Sequence, residues 1–499
     1  MTLAPAPPTS KALTDIAGLD DVLGGGLVRD RVYLIEGSPG TGKTTLALQF
    51  LLAGARNGET GLYITLSETA EELRGGAASH GWSLDAIDVF ELVPPESLLD
   101  TEQQQSLLYS SDLELGETTK LIFEQVERVN PTRVVLDSLS EIRLLAQGSL
   151  RFRRQILALK HYFARHGATV LLLDDLTAEV QDRTLHSVAH GVIHLDELAP
   201  EYGAERRRLR IVKYRGTKYR GGYHDFTIMT GGVTVFPRLI AAEHHHGFVR
   251  RLAATGNPEM DAVLGGGLEQ GSSTLLVGPS GVGKSLVALS VAVAAVKRGE
   301  KAAVYIFDEE IGLLLDRTVG LGFDLAAYRD QGLLLLEPVD AAELSPGEFA
   351  HKVRSHVERD GVRTILIDSL NGYQAAMPQE QFLILHMHEL LTYLNRQGVV
   401  TLLTMAQHGL IGEMKTPVDL TYLSDTVVLL RYFEAEGRVR RAFSAVKKRA
   451  GFHENTIREF CITPNGFQIG APLEQFQGVM RGLPVYTGGQ DNLFGNGQA

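Results

Sequence analysis

The chain has 499 residues, 44% hydrophobic and 22% charged, enough to bury two cores of ordinary domain size. Its formal charge of −12 argues against a protein whose whole surface grips nucleic acid, although a local basic channel escapes that test. One cysteine, Cys461, excludes an intrachain disulfide framework; with no paired Cys/His spacing, no secretory pattern and no apolar run of membrane-spanning length, a reducing cytoplasmic setting without membrane contact is expected.

The first predicted unit opens near Ala12, and Gly24, Gly25 and Gly26 make a turn-rich lead-in to a strand expected at 31–36. The loop that follows, Gly37, Ser38, Pro39, Gly40, Thr41, Gly42, Lys43, Thr44 and Thr45, fits the pattern G-x-x-x-x-G-K-[ST]. There the glycines let successive backbone N–H groups turn onto phosphate oxygens, the lysine reaches the β/γ-phosphates, and the next hydroxyl ligates Mg²⁺. ATP and Mg²⁺ are therefore the expected ligands. Further strands are expected at 61–66, 133–137 and 168–173, with a polar stretch at 94–111, a helix at 118–129 and a terminal hairpin of 208–214 with 223–229.

The pattern then starts again. Gly278, Pro279, Ser280, Gly281, Val282, Gly283, Lys284, Ser285 and Leu286 form a second loop of the same kind, with Lys284 standing 241 positions after Lys43. Gly265, Gly266 and Gly267 repeat the glycine lead-in, and Gly299-Glu300 repeats Gly58-Glu59 at that offset. Strands are expected at 273–277, 302–307, 332–337, 364–368, 399–405, 426–431 and 441–446, as in a tandem duplication. Domains are expected at 12–240 and 250–475. The segment 243–251 reads as a solvated linker, with a metal-binding alternative for His244, His245 and His246, and residues 478–499 read as a disordered tail. Strands alternating with helices imply an α/β fold in each half, a mostly parallel sheet flanked by helices, with ligands beyond the carboxyl ends of the strands.

Asp137 and Asp368 each close a run of branched apolar residues and precede Ser-Leu. An acid there can hold the water shell of Mg²⁺ opposite the hydroxyls of Thr44 and Ser285. Glu68 ends the second strand, and Glu309 ends the corresponding strand 241 positions later. A carboxylate on the strand beside the loop can face the γ-phosphate without ligating metal, and in-line attack needs such a group to accept or orient a proton. The other reading of Glu68 and Glu309 is an acidic cap for the following helix, a place that Thr69 and Glu310 can fill instead.

Together these motifs resemble the KaiC family of circadian-clock ATPases and autokinases, part of the RecA-like group, over about residues 12–475. The resemblance implies tandem RecA-like P-loop domains that hydrolyse ATP, with Lys43, Lys284, Glu68, Asp308 and Glu309 in the catalytic set. Family members carry two adjacent Glu residues at the second strand end of each half; here the first half has Ser67-Glu68 and the second has Asp308-Glu309 followed by Glu310. The resemblance also implies that Lys213 and Arg215, and Lys447 and Arg449, reach the nucleotide of a neighbouring subunit in a ring, a hexamer. Alternation puts each pair on one strand face, where a guanidinium fork and an ammonium can neutralise γ-phosphoryl charge. Without the resemblance these residues read as a charged edge strand.

The family's adjacent Ser/Thr acceptors fall on Thr421 and Tyr422, and Ser424 is close by, so autophosphorylation is expected at Thr421 or Ser424. Hydroxyls before a strand are also ordinary turn residues. The implied function is an ATP-hydrolysing ring that couples nucleotide state to an unidentified signalling protein. The competing expectation is a RecA/RadA- or helicase-type DNA motor, for which Arg206, Arg207, Arg208 and Arg210, or Arg151, Arg153 and Arg154, would contact phosphates. Overall acidity and the absence of a recognisable DNA-binding module stand against it.

Overall fold

The computed structural model describes residues 10–92, 107–176, 184–200, 203–375, 380–407, 421–481 and 485–487. The chain divides into two units, Met1–Arg238 and Leu239–Ala499. Among the described residues no helix is long and apolar enough to cross a membrane.

The first unit is built on nine strands: β1 (Val32–Glu36), β2 (Gly61–Thr65), β3 (Ile87–Glu91), β4 (Arg133–Asp137), β5 (Thr169–Asp174), β6 (Gly191–Leu198), β7 (Arg206–Tyr214), β8 (Tyr223–Met229) and β9 (Gly232–Phe236). They form one sheet in the order β3-β2-β4-β5-β1-β6-β7-β8-β9. The six strands from β3 to β6 are parallel and the last four pair antiparallel. The second unit repeats the plan with β10 (Ser272–Gly278), β11 (Lys301–Ile306), β12 (Leu334–Pro338), β13 (Val362–Asp368), β14 (Val400–Ala406), β15 (Thr426–Ala435), β16 (Arg438–Lys448), β17 (Arg458–Thr463) and β18 (Gly466–Pro472), in the order β12-β11-β13-β14-β10-β15-β16-β17-β18.

The inner parallel strands are apolar along most of their length because both faces are covered. In the first unit Tyr33, Ile35, Tyr63, Val135, Leu171 and Leu173 enter one core, while Val32, Leu34, Leu62, Leu136, Val170 and Leu172 enter the other. The second unit divides in the same way, with Leu276, Val304 and Leu366 on one side and Leu275, Tyr305 and Ile365 on the other. The period of two along each strand produces these two layers.

Each P-loop helix, α1 (Lys43–Arg56) and α2 (Lys284–Lys297), begins after a glycine in the left-handed region, Gly42 at φ 96° and Gly283 at φ 113°. The left-handed φ of Gly42 is what requires glycine there, and a Cβ would in addition push aside the Ile228 Cδ1 methyl, 2.4 Å away.

Several elements were not expected. The edge strand β3 is short and exposes Asp88 and Glu91, which masks its period. Strand β6 changes character along its length: its first half is parallel core, whereas Asp196 and Glu197 pair with Arg208 and Arg207 at 2.8 and 3.1 Å. Strands β9, β17 and β18 extend the expected hairpins into a longer antiparallel edge.

The 243–251 segment is mostly exposed, as a solvated linker would be, but two of its residues are anchored: His244 Nδ1 is 3.3 Å from Glu358 Oε1 with its ring edge-on to Tyr393, and Phe248 lies against Gly271 and Gly398. One expectation about the segments outside the sheets needs correction. The expected tail contains order past 478, because Val479 is buried with Phe433 and Ala442, and Val485–Tyr486 pairs with Phe476–Gln477. Residues 488–499 lie outside the described residues, as does most of the polar stretch at 94–111, whose last five residues belong to the helix Leu107–Val129.

Candidate functional site

In both units the P-loop leaves the central parallel strand at its carboxyl end. Lys43 Nζ donates to the carbonyls of Gly37 and Ser38, both at 2.9 Å, and Lys284 Nζ donates to those of Gly278 and Pro279 at 3.0 and 2.8 Å. Each lysine therefore lies curled over its own loop, within the space the loop encloses. Burial pushes the Lys284 ammonium below its ordinary value, and Asp368 partly restores it.

The metal-binding expectation rests on a hydroxyl beside an acid. Thr44 Oγ1 donates to Asp137 Oδ2 at 3.3 Å, and Tyr63 donates to the same oxygen at 2.5 Å. Burial raises the Asp137 carboxyl above its usual range; Tyr63 opposes this, Asp175 adds to it, and Thr44 and Lys43 oppose it. In the second unit Asp368 accepts from Thr404, and Ser285 and Asp368 line one cavity. Mg²⁺ retains several waters and takes one or two protein oxygens beside substrate phosphates, so a hydroxyl and a carboxylate suit it.

Glu68 and Glu309 are not the helix caps. Thr69 caps the helix Ala70–Ser79 in a capping box with Glu72, and Glu310 caps Ile311–Val319 through the Leu313 N–H. Glu68 is instead fixed by its backbone, its N–H donating to Thr65 Oγ1 at 2.9 Å while that hydroxyl donates to the Glu68 carbonyl at 2.8 Å. Burial, and then the charges of Asp137, Glu72 and Asp175, hold the Glu68 carboxyl above its ordinary value. Glu309 pairs with Arg317 at 2.7 Å, and Asp308 accepts from the Ser369 hydroxyl. A cavity of about 530 Å³ brings Lys284, Ser285, Asp308, Glu309, Arg317 and Asp368 together.

The four hairpin cations sit elsewhere. Lys213 and Arg215 lie where β7 ends, beside the entry of β6, at the opposite end of the sheet from the P-loop. Lys213 donates to the carbonyls of His186 and Ala189, and Arg215 to that of Ser187. The second unit repeats this step for step: Lys447 donates to the carbonyls of Thr421 and Ser424, and Arg449 to that of Tyr422. Neither pair is gathered at its own unit's P-loop.

Of the two expected phosphate acceptors, Thr421 is partly exposed, whereas Ser424 is fully buried with its hydroxyl enclosed. The arginine cluster on β7 is largely neutralised: Arg208 pairs with Asp196 and Arg207 with Glu197 and Glu205, while Arg208 and Arg210 stack on Tyr223.

Sequence reasoning missed three groups at these sites: Tyr63 on Asp137, Arg317 on Glu309, and Asp175, whose Oδ1 is 2.8 Å from Lys43 Nζ. A signal for Asp175 was available, since the pair Asp174-Asp175 closes an apolar run as Asp137 does.

Comparison with known proteins agrees with this geometry. The family model described as "ATPase: KaiC" matches residues 12–240 and again 253–474. The chain is 28% identical to the circadian clock protein KaiC3 of Synechocystis sp. over 96% of its own length and 95% of that protein's. It is 27% identical to the circadian clock oscillator protein KaiC of Synechococcus elongatus over 95% and 92%, and 26% identical to that of Thermostichus vulcanus over the same shares. With two P-loop sheets of one topology and both repeats matched across most of the sequence, the chain belongs to the KaiC family of double-domain ATPases.

Proposed function

We propose that this chain is a ring-forming ATPase whose two domains, at about 12–240 and 250–475, each bind Mg–ATP, and whose nucleotide state is read by a signalling partner. The reading rests chiefly on one repeated arrangement: a lysine folded over its loop, a hydroxyl at the same site as an Asp that closes a core strand, and a carboxylate just past the strand beside that Asp's, which is not the strand beside the P-loop strand.

The Gly37–Thr45 and Gly278–Leu286 loops bind the phosphates through their backbone N–H groups, and Lys43 and Lys284 move onto the β/γ-phosphates. Thr44 with Asp137, and Ser285 with Asp368, would hold Mg²⁺, which supplies charge neutralisation at the phosphates. Glu68 and Glu309 each take a proton from a water as its oxygen bonds to the γ-phosphorus. The bond to the β–γ bridging oxygen breaks, leaving ADP and inorganic phosphate. Asp308 orients that water beside Glu309. Lys213, Arg215, Lys447 and Arg449 stand at the far ends of their own sheets, which suits action on the next subunit of a hexamer. In the second domain the Thr421 hydroxyl can take the γ-phosphoryl in place of water, its proton passing to a carboxylate; enclosure of Ser424 disfavours it as an acceptor.

Incubation of the full chain with γ-labelled ATP tests this. Wild type should release phosphate, and the Glu68→Gln/Glu309→Gln double variant should lose at least about 100-fold in rate. Undiminished release from that variant would sink the assignment of the bases. Covalent label is expected at Thr421, and mapping it elsewhere removes the kinase part alone.

A further inference from the structure

The two nucleotide sites do not draw their acids from the same strands. In the first unit Ser67 occupies the place of Asp308, so the end of β2 offers Glu68 alone. Asp175, just beyond β5, reaches the site from the next strand but one, and its Oδ1 pairs with Lys43 Nζ at 2.8 Å. The Lys43 side chain is only 6% exposed, so the pair lies inside the site. The charge of Asp175 is also felt at Glu68 and Asp137.

The second unit makes the reverse choice. Glu36 pairs in register with Asp174, and its counterpart Val277 pairs with Met405. One step further along, Asp175 therefore corresponds to Ala406, which carries no charge, and the second acid is Asp308 instead. Each site thus has two acids besides its metal-side Asp: Glu68 and Asp175 in the first, Glu309 and Asp308 in the second.

We propose that Asp175 is a positioning residue of the first nucleotide site and the replacement for the acid missing at Ser67. Before nucleotide arrives it holds Lys43 over the loop; once phosphate takes the lysine, it remains as the second carboxylate beside Glu68 and orients the attacking water. The proposal rests on the reading of Glu68 as proton acceptor. It has an unusual signature, because an anion that competes for Lys43 and faces the phosphates weakens nucleotide binding while it assists turnover.

The test uses the full chain with the second site silenced by Lys284→Ala. Asp175→Asn should lower kcat about tenfold or more, yet bind a fluorescent ATP analogue in EDTA several-fold more tightly. Asp175→Glu, which keeps the charge, should retain most turnover. Adding Ser67→Asp to Asp175→Asn should recover most of the lost kcat by moving the acid back to β2. Unchanged kcat, weaker analogue binding or failure of Ser67→Asp to rescue overturns the proposal, and if Asp175→Asn does not fold, Asp175→Ala, alone and with Ser67→Asp, is read in the same way. Glu68→Gln separates the two readings: if it leaves turnover intact while Asp175→Asn does not, the base assignment fails alone. If it abolishes turnover while Asp175→Asn is silent, the Asp175 proposal fails alone.

Discussion

Removing one oxygen atom from Tyr63 should weaken the first nucleotide site without disturbing its core. Tyr63 is fully buried, and its hydroxyl donates to Asp137 Oδ2, the oxygen that also accepts from Thr44 at 3.3 Å. When Mg²⁺ takes the Thr44 hydroxyl, Tyr63 is left as the donor that keeps this carboxylate aimed. A hydrogen bond to a charged acceptor contributes about 1.5–3 kcal/mol, which converts to roughly 10–100-fold in an equilibrium constant. Tyr63→Phe keeps the ring and its packing, so the loss should appear in metal handling rather than in folding. The assay is a Mg²⁺ titration of ATP hydrolysis in a Lys284→Ala background, where half-saturation should move up about tenfold or more. The second site, read in a Lys43→Ala background, provides a control that Tyr63→Phe should leave unmoved, since Val304 stands at the equivalent position and Thr404 serves Asp368. Superimposable titrations for wild type and Tyr63→Phe would refute the reasoning.

Acidification should switch off the first site early. As the proposed proton acceptor Glu68 works only when ionised, and its carboxyl is held above its ordinary value, so first-site turnover should fall with pH before an ordinary glutamate would protonate. Asp175→Asn removes a negative charge and should shift that limb to lower pH; a pH–rate profile unmoved by it contradicts the electrostatics. Arg133 is 1% exposed and binds Glu59, the Leu13 carbonyl and the Phe50 carbonyl, joining the start of β4 to the P-loop helix. Arg133→Met strands these partners and should cost about 3–5 kcal/mol. Calorimetry should show the first unit melting on the order of 10 °C lower, and a shift under about 3 °C would disprove the count of lost partners. Mixing Arg449→Ala chains with Glu309→Gln chains should restore second-site turnover, because some interfaces then combine an intact base with an intact cation pair; no recovery on mixing would place Arg449 outside the catalytic interface.

Sequence alone determined what is local. Both P-loops, the Asp137 and Asp368 strand ends, and the candidate carboxylates Glu68 and Glu309 are legible because each is marked by spacing within one short segment. The α/β class follows from apolar strand runs separated by helical stretches. Tertiary structure decided which strand ends meet. Tyr63 reaches Asp137 across 74 positions, and Lys43 meets Asp175 at the carboxyl end of the neighbouring strand β5. It also enclosed Ser424, placed each hairpin cation pair at the end of its sheet remote from its own P-loop, and hid β6 behind charges that only the arginines of β7 make sensible. Periodicity reports which face of a strand is apolar. Strand order and register, which set the neighbours of a buried charge, emerge only when the whole sheet closes around its core.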